Sequence, residues 1–180
     1  MTDSPLILSV VGPSGAGKTT VIERLVPLLR AAGLRVGTSK HASHGYTADR
    51  EGSDSWRHQH AGADTVLLVG PAGAAVFLAH QVAHPDADAD PHRDIARLLA
   101  RHMHNVDVVL CEGYAPVHDL LIEVEREGVP PKPASGARVI WVTITDRPAG
   151  TNSISFDALA DLAVRIAERV ELQRLGRFEA

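Results

Sequence analysis

The stretch Gly12-Pro13-Ser14-Gly15-Ala16-Gly17-Lys18-Thr19 constrains this chain more than any other feature, because it satisfies G-x-x-x-x-G-K-[ST] in full. It also stands in the setting that gives the pattern meaning. The apolar run 6–11 before it reads as a buried strand, and the segment 19–32 after it places Ile22, Leu25, Val26 and Leu29 at helical spacing. Glycines at such a strand-to-helix turn let consecutive backbone N–H groups converge on one concavity. The positive end of the helix dipole faces the same point. A triphosphate fits there, cradled by residues 12–19 with Thr20 beside them; Lys18 reaches the β- and γ-phosphates and the Thr19 hydroxyl meets Mg²⁺.

The rest of the chain alternates short Val/Ile/Leu-rich runs with longer segments of helical period, the pattern of an α/β fold with a mostly parallel sheet. Gly33 is placed to end the first helix, and Pro27 inside it predicts a kink or local irregularity. Residues 34–39 read as a second strand, 40–53 as a polar loop and 54–61 as a short helix. Runs 64–70 and 74–78 flank Gly70-Pro71-Ala72-Gly73 and predict a hairpin. A helix is expected from residue 90 or 91 to about 104. Strands follow at 106–111, 120–124 and 138–144, with an exposed connection at 125–136, and a closing amphipathic helix spans 156–172. The expected architecture is a three-layer P-loop NTPase fold with a β-hairpin extension, organised as one domain over residues 1–180.

A Mg²⁺-nucleotide site in such a sheet needs a carboxylate at the carboxyl end of a neighbouring strand. Glu112 ends the run 106–111 and is the candidate Mg²⁺ ligand or water-orienting residue, hence catalytic together with Lys18. Asp107, at the other end of the same run, is expected to be structural. The loop and helix after the second strand carry Lys40, His41, His44, Asp49, Arg50, Asp54 and Arg57. Asp49 is the loop carboxylate assigned to Mg²⁺, while Lys40, His41, His44 and Arg57 are assigned to a second ligand or a partner. Asp146 follows the strand 138–144, where a purine would lie; a carboxylate can accept from both N1–H and N2–H₂ of guanine, which favours GTP over ATP.

Charge and cysteine usage bound the partners. Eighteen Lys plus Arg against 22 Asp plus Glu give a net charge of −4, with no basic excess to hold nucleic acid or an anionic membrane. The single cysteine, Cys111, cannot close an intramolecular disulfide and reads as a small core residue of a cytoplasmic protein. The N-terminus lacks a signal-peptide pattern, and no apolar run reaches membrane-spanning length. The histidine spacings His41-x-x-His44 and His58-x-His60 match no zinc pattern, and the acids of 86–90 lack the glycine and glutamate of a calcium loop.

Beyond the P-loop, the chain carries Ser39-Lys40-His41 to His44, Asp49 to Asp54-Ser55, Arg57, Ala61-Gly62-Ala63, Glu112-Gly113-Tyr114, and Ile122-Glu123-Val124 before Arg126. In this order they resemble K-H-x-x-H, D-x-x-G-x-D-S, A-G-A and V-E-G-[FY] of the MobB family, the molybdopterin-guanine dinucleotide biosynthesis adaptor proteins. Ser53 stands where that family commonly has lysine, and Ala42-Ser43 replaces a Thr/Ser-His pair. The resemblance implies a homodimer that binds GTP with Mg²⁺ and hydrolyses it weakly. It also implies a partner, the guanylyltransferase that attaches GMP to molybdopterin, with molybdopterin itself a candidate ligand. The competing reading is a small-molecule kinase, for which Arg93, Arg97 and Arg101 would supply a lid; their i, i+4, i+8 spacing equally describes one solvated helix face.

Overall fold

The computed structural model describes residues 4–42, 45–78, 91–113, 120–131, 140–148 and 151–176, and for 91–94 the backbone alone. These form two compact units, one made of Met1–His41 with His92–Ala180, the other of Ala42–Pro91.

In the larger unit six parallel strands form one sheet in the order β2-β5-β1-β6-β7-β8. They are β1 (Leu6–Val11), β2 (Val36–Lys40), β5 (Val108–Glu112), β6 (Leu121–Val124), β7 (Ile140–Ile144) and β8 (Ser153–Ile154). The central strands are apolar on both faces because both faces are covered. On one face Leu8 and Val10 of β1 pack with Val21, Leu25 and Leu29 of α1 (Lys18–Ala31) and with Leu162 and Ile166 of α4 (Leu159–Arg174). On the other, Val109 and Cys111 pack with Leu99 of α3 (Pro91–His102). This is the expected three-layer α/β arrangement, with Cys111 a buried core thiol.

The smaller unit holds α2 (Asp54–His60) and the antiparallel pair β3 (Thr65–Gly70) and β4 (Gly73–Leu78), the expected hairpin.

Several boundaries differ from the sequence expectation for local reasons. Helix α1 runs through Pro27 without a break, since Pro27 lies on the exposed face where its missing N–H is cheapest. Strand β2 starts at Val36 instead of residue 34, because the Leu34 amide donates a hydrogen bond to the Leu29 carbonyl and closes α1. Helix α4 starts at Leu159, which leaves Phe156 in the preceding turn. Strand β8 was not expected; two residues are too few to show a period. The start of the run 138–144 and the acidic stretch 86–90 lie outside the described residues.

At the amino end of β5, Asp107 is the structural residue anticipated there. Its carboxylate accepts from the Arg35 amide (2.7 Å) and guanidinium (2.8 Å), and pairs with Arg174 of α4 at 2.8 Å. The Arg35 hydrogen bonds, chiefly, hold this carboxyl well below the usual carboxylate range against the opposing effect of burial. A depressed carboxylate stabilises the fold above its unfolded pKa, and the contribution fades as pH falls. Asp107→Asn is therefore expected to cost about 1–3 kcal/mol at neutral pH. Urea titrations should show the gap from wild type closing as pH drops below about 4.

Candidate nucleotide-binding site

The P-loop leaves the carboxyl end of β1, between β5 on one side and β6 on the other. After β1 the chain goes to β2 on one side and after the adjacent β6 it goes to β7 on the other, so the sheet's topological switch point lies beside this loop. Gly12 has φ +142°, and a Cβ there would come within 2.3 Å of the Val124 carbonyl oxygen, so the loop can enter at β6 only through glycine. Gly17, at φ +98°, is the N-cap of α1 and caps it with no side chain. The first turn of α1 has no acidic residue either, which leaves its N-terminal amides and dipole for an anion.

Four side chains furnish the chemistry. The Lys18 ammonium donates to the carbonyl oxygens of Gly12 (3.0 Å) and Pro13 (2.7 Å), which holds it over the loop. The Thr19 hydroxyl donates to both carboxylate oxygens of Glu112, at 3.0 and 3.1 Å. Lys40 donates from the opposite side to Glu112 Oε1 at 3.1 Å. Lys40 and Glu112 are directly opposed in the β2–β5 register, a cross-strand pair of opposite charge. Glu112 is only 9% exposed, and the backbone fixes it: its carbonyl accepts from the His41 amide, and the next amide, Gly113, donates to the Val10 carbonyl.

Of the remaining expected site residues, Ser14, Gly15 and Thr20 are exposed on the loop and the first turn of α1, and Ala16 is buried. Asp146 sits just beyond β7, where it accepts from the Glu127 amide at 3.0 Å. It lines a cavity of about 300 Å³ that Pro13 of the P-loop also lines.

The loop assigned to a second ligand divides. Lys40 and His41 belong to the larger unit, where Lys40 donates to the carboxylate of Glu112. Asp49 and Arg57 belong to the smaller unit. There Asp49 accepts from Ser53 (3.0 Å) and Gln59 (2.9 Å) and Ser53 caps α2 through the Trp56 amide, so these residues build a helix start. Arg57 is exposed, 4.0 Å from Asp54. His44 and Tyr114 lie outside the described residues. No group of three or more metal-ligating side chains occurs among the described residues.

Sequence reasoning passed over the pairing of Lys40 with Glu112, although the crevice rule that singled out Glu112 applies equally to the last residue of β2. It also gave no site role to Arg126 or Phe156, which flank Gly17: a Cβ on that glycine would meet the Phe156 ring at 3.4 Å and the Arg126 guanidinium at 3.9 Å.

An uncapped helix start behind a glycine loop, a Lys over it, and a Thr–carboxylate pair joining the loop to the end of β5 define a P-loop α/β protein. The comparisons narrow this class. The family model described as "Molybdopterin guanine dinucleotide synthesis protein B" matches residues 7–146, and the chain belongs to that family. Curated relatives include the molybdopterin-guanine dinucleotide biosynthesis adapter protein of Escherichia coli, 30% identical over 71% of this chain and 69% of the relative. The Haemophilus influenzae adapter protein is 47% identical over 62 residues, spanning 34% of this chain and 35% of that relative. Among solved structures, a crystal structure of molybdopterin-guanine biosynthesis protein B superposes with a TM-score of 0.67 at 26% identity, covering 92% of this chain and 99% of the other. The Bacillus subtilis MobB crystal structure, at 22% identity and a TM-score of 0.60, supports the fold alone. Among the described residues no helix is long and apolar enough to cross a membrane.

Proposed function

We propose that this protein is a GTP-binding adaptor in molybdenum cofactor biosynthesis, assisting the guanylyltransferase that converts molybdopterin to molybdopterin guanine dinucleotide. The observation that carries the nucleotide part is the Thr19–Glu112 pair beside Lys18 at the uncapped start of α1. The relatives' names, all adapter proteins of this biosynthesis, support the adaptor part.

A hydroxyl and a carboxylate are hard oxygen donors, the set Mg²⁺ prefers when nucleotide phosphates complete its shell. Thr19 and Glu112 would hold the ion, which when bound neutralises charge on the β- and γ-phosphates. Asp49, engaged at the start of α2, is given no part in that shell. Lys18 binds the phosphates, and Lys40 adds a second cation beside Glu112. Hydrolysis would be slow, consistent with an accessory role in the cytoplasm.

A homodimer is part of this reading. The hairpin leaves Leu67, Val69 and Val76 more than half exposed, and a two-stranded hairpin is marginal alone, so a second copy is the occupant expected to cover it. Sedimentation should give a dimer for the wild type and a monomer when these three residues become serine.

The deciding experiment adds the purified protein to the guanylyltransferase with molybdopterin and Mg²⁺·GTP. Faster dinucleotide formation supports the adaptor. A new phosphorylated metabolite formed stoichiometrically with GDP would support a kinase instead; against that, Arg97 and Arg101 of α3 lie exposed in the manner of a solvated face.

A further inference from the structure

The cavity beside the P-loop has walls that the phosphate chemistry does not use. It opens where the parallel strands β6 and β7 end, so its mouth lies along the same sheet edge as the P-loop, on the side of β1 away from Glu112. Pro13 contributes to its wall, so it begins where the phosphate cradle begins. Its size, about 300 Å³, suits one bicyclic base with part of a sugar.

Arg126, the second residue after β6, ties this cavity to the loop. Its Nε lies 3.7 Å from Asp146 Oδ2, and its guanidinium covers the Phe156 ring at 4.7 Å from the centroid. Phe156 in turn is the side chain nearest the place where a Cβ on Gly17 would stand, and its carbonyl accepts from Arg24 of α1 at 3.5 Å. The Arg126 side chain is thus anchored on an aromatic face that leans on the P-loop, while its charged edge holds an acid of the cavity wall. The Glu127 amide donates to the same Oδ2 of Asp146, and Glu127 pairs with Arg147 on the same wall. Both contacts fall on Oδ2; a carboxylate fixed in this way is preorganised to accept, and a guanine edge presents adjacent N–H donors that adenine lacks.

We propose that this cavity is the purine subsite and that Arg126 is a specificity-positioning residue, orienting Asp146 toward the N1–H and N2–H₂ edge of guanine. The proposal rests on the nucleotide-binding reading above and assigns it a residue and a discriminating geometry. Arg126 acts through Asp146, so its loss must change base preference more than phosphate affinity.

The test measures binding of Mg²⁺·GTP, Mg²⁺·ATP, Mg²⁺·XTP and base-free Mg²⁺·tripolyphosphate to the full chain by calorimetry, for wild type, Arg126→Met, Arg126→Lys and Asp146→Asn. Arg126→Met is expected to weaken GTP about tenfold, to leave ATP and tripolyphosphate within about twofold, and so to collapse the GTP/ATP ratio, with Arg126→Lys in between. Asp146→Asn replaces an acceptor by a donor at one position and should move the preference from GTP toward XTP, whose base carries an oxygen where guanine has its amino group. An unchanged GTP/ATP ratio in Arg126→Met, equal loss of GTP and tripolyphosphate, or no gain for XTP in Asp146→Asn overturns the assignment. Wild type that binds GTP and ATP equally while retaining tripolyphosphate overturns this inference alone. Wild type that binds none of the four removes the nucleotide reading itself.

Discussion

Lys18→Ala is expected to weaken Mg²⁺·GTP binding by about a hundredfold, corresponding to about 2.7 kcal/mol, within the range for a lost charge-assisted contact. The side chain is the one cation of the P-loop motif, and the carbonyls of Gly12 and Pro13 hold its ammonium over the loop, at the place the α1 dipole makes favourable for phosphate. Little else depends on it. Lys18 opens α1 at a half-buried position, whereas the helix is anchored by Val21, Leu25 and Leu29, which are fully buried against the sheet. Alanine is also a better helix former than lysine. The thermal midpoint without nucleotide should therefore stay within a few degrees of wild type. Calorimetry paired with a circular dichroism melt checks both halves: affinity retained in the variant places the triphosphate elsewhere, and a collapsed melt makes Lys18 a folding residue.

The parts of the fold that were legible in sequence are those whose signal is local. A glycine loop between an apolar run and a helical period announces β1, the P-loop and α1. The apolar run ending in Glu112 announces a strand whose last side chain reaches the crevice, and Cys111 one residue earlier falls on the packed face with Leu99. What stayed hidden depends on register and on contacts distant in the chain. The Lys40–Glu112 pair joins residues 72 apart, and it exists because β2 adds to the sheet beside β5 with those two Cα positions opposed. The same holds for Asp107, whose partners Arg35 and Arg174 come from elements on either side of it in sequence. In sequence Arg126 reads as the basic residue that follows Ile122-Glu123-Val124 and Phe156 as the start of the closing helix. Their role as neighbours of Gly17 appears only once β6 lies beside β1 and α4 is seen to begin after Phe156. Asp49 was assigned to Mg²⁺ because a carboxylate in a long polar loop could serve either chemistry. The side chains that donate to it at the start of α2, Ser53 and Gln59, are separated from it by turns whose geometry composition does not reveal.

Register also makes the two sides of the Lys40–Glu112 pair unequal, and this gives the second large effect. Glu112 is buried at 9% exposure, whereas the Lys40 side chain is 62% exposed. Removing the lysine leaves a buried carboxylate with, among the described residues, the Thr19 hydroxyl as its remaining side-chain donor. Removing the carboxylate charge leaves a lysine that water can solvate. Lys40→Met is therefore expected to cost about 1–3 kcal/mol in stability without nucleotide, and Glu112→Gln less than about 1 kcal/mol. For the nucleotide the order reverses. Glutamine keeps the shape of Glu112 but not the charge that would hold Mg²⁺ with Thr19, and charge at that point matters most where it develops on the phosphates. Glu112→Gln should lower GTP affinity in Mg²⁺ by about tenfold and single-turnover hydrolysis by about a hundredfold, with the excess in hydrolysis reporting the positioning of the reacting groups. In EDTA the variant should bind nucleotide as wild type does, because the residues that contact phosphate directly are unchanged. Equal losses in affinity and hydrolysis, or a deficit that persists in EDTA, would make Glu112 a residue that shapes the loop and would move the metal ligand to another carboxylate.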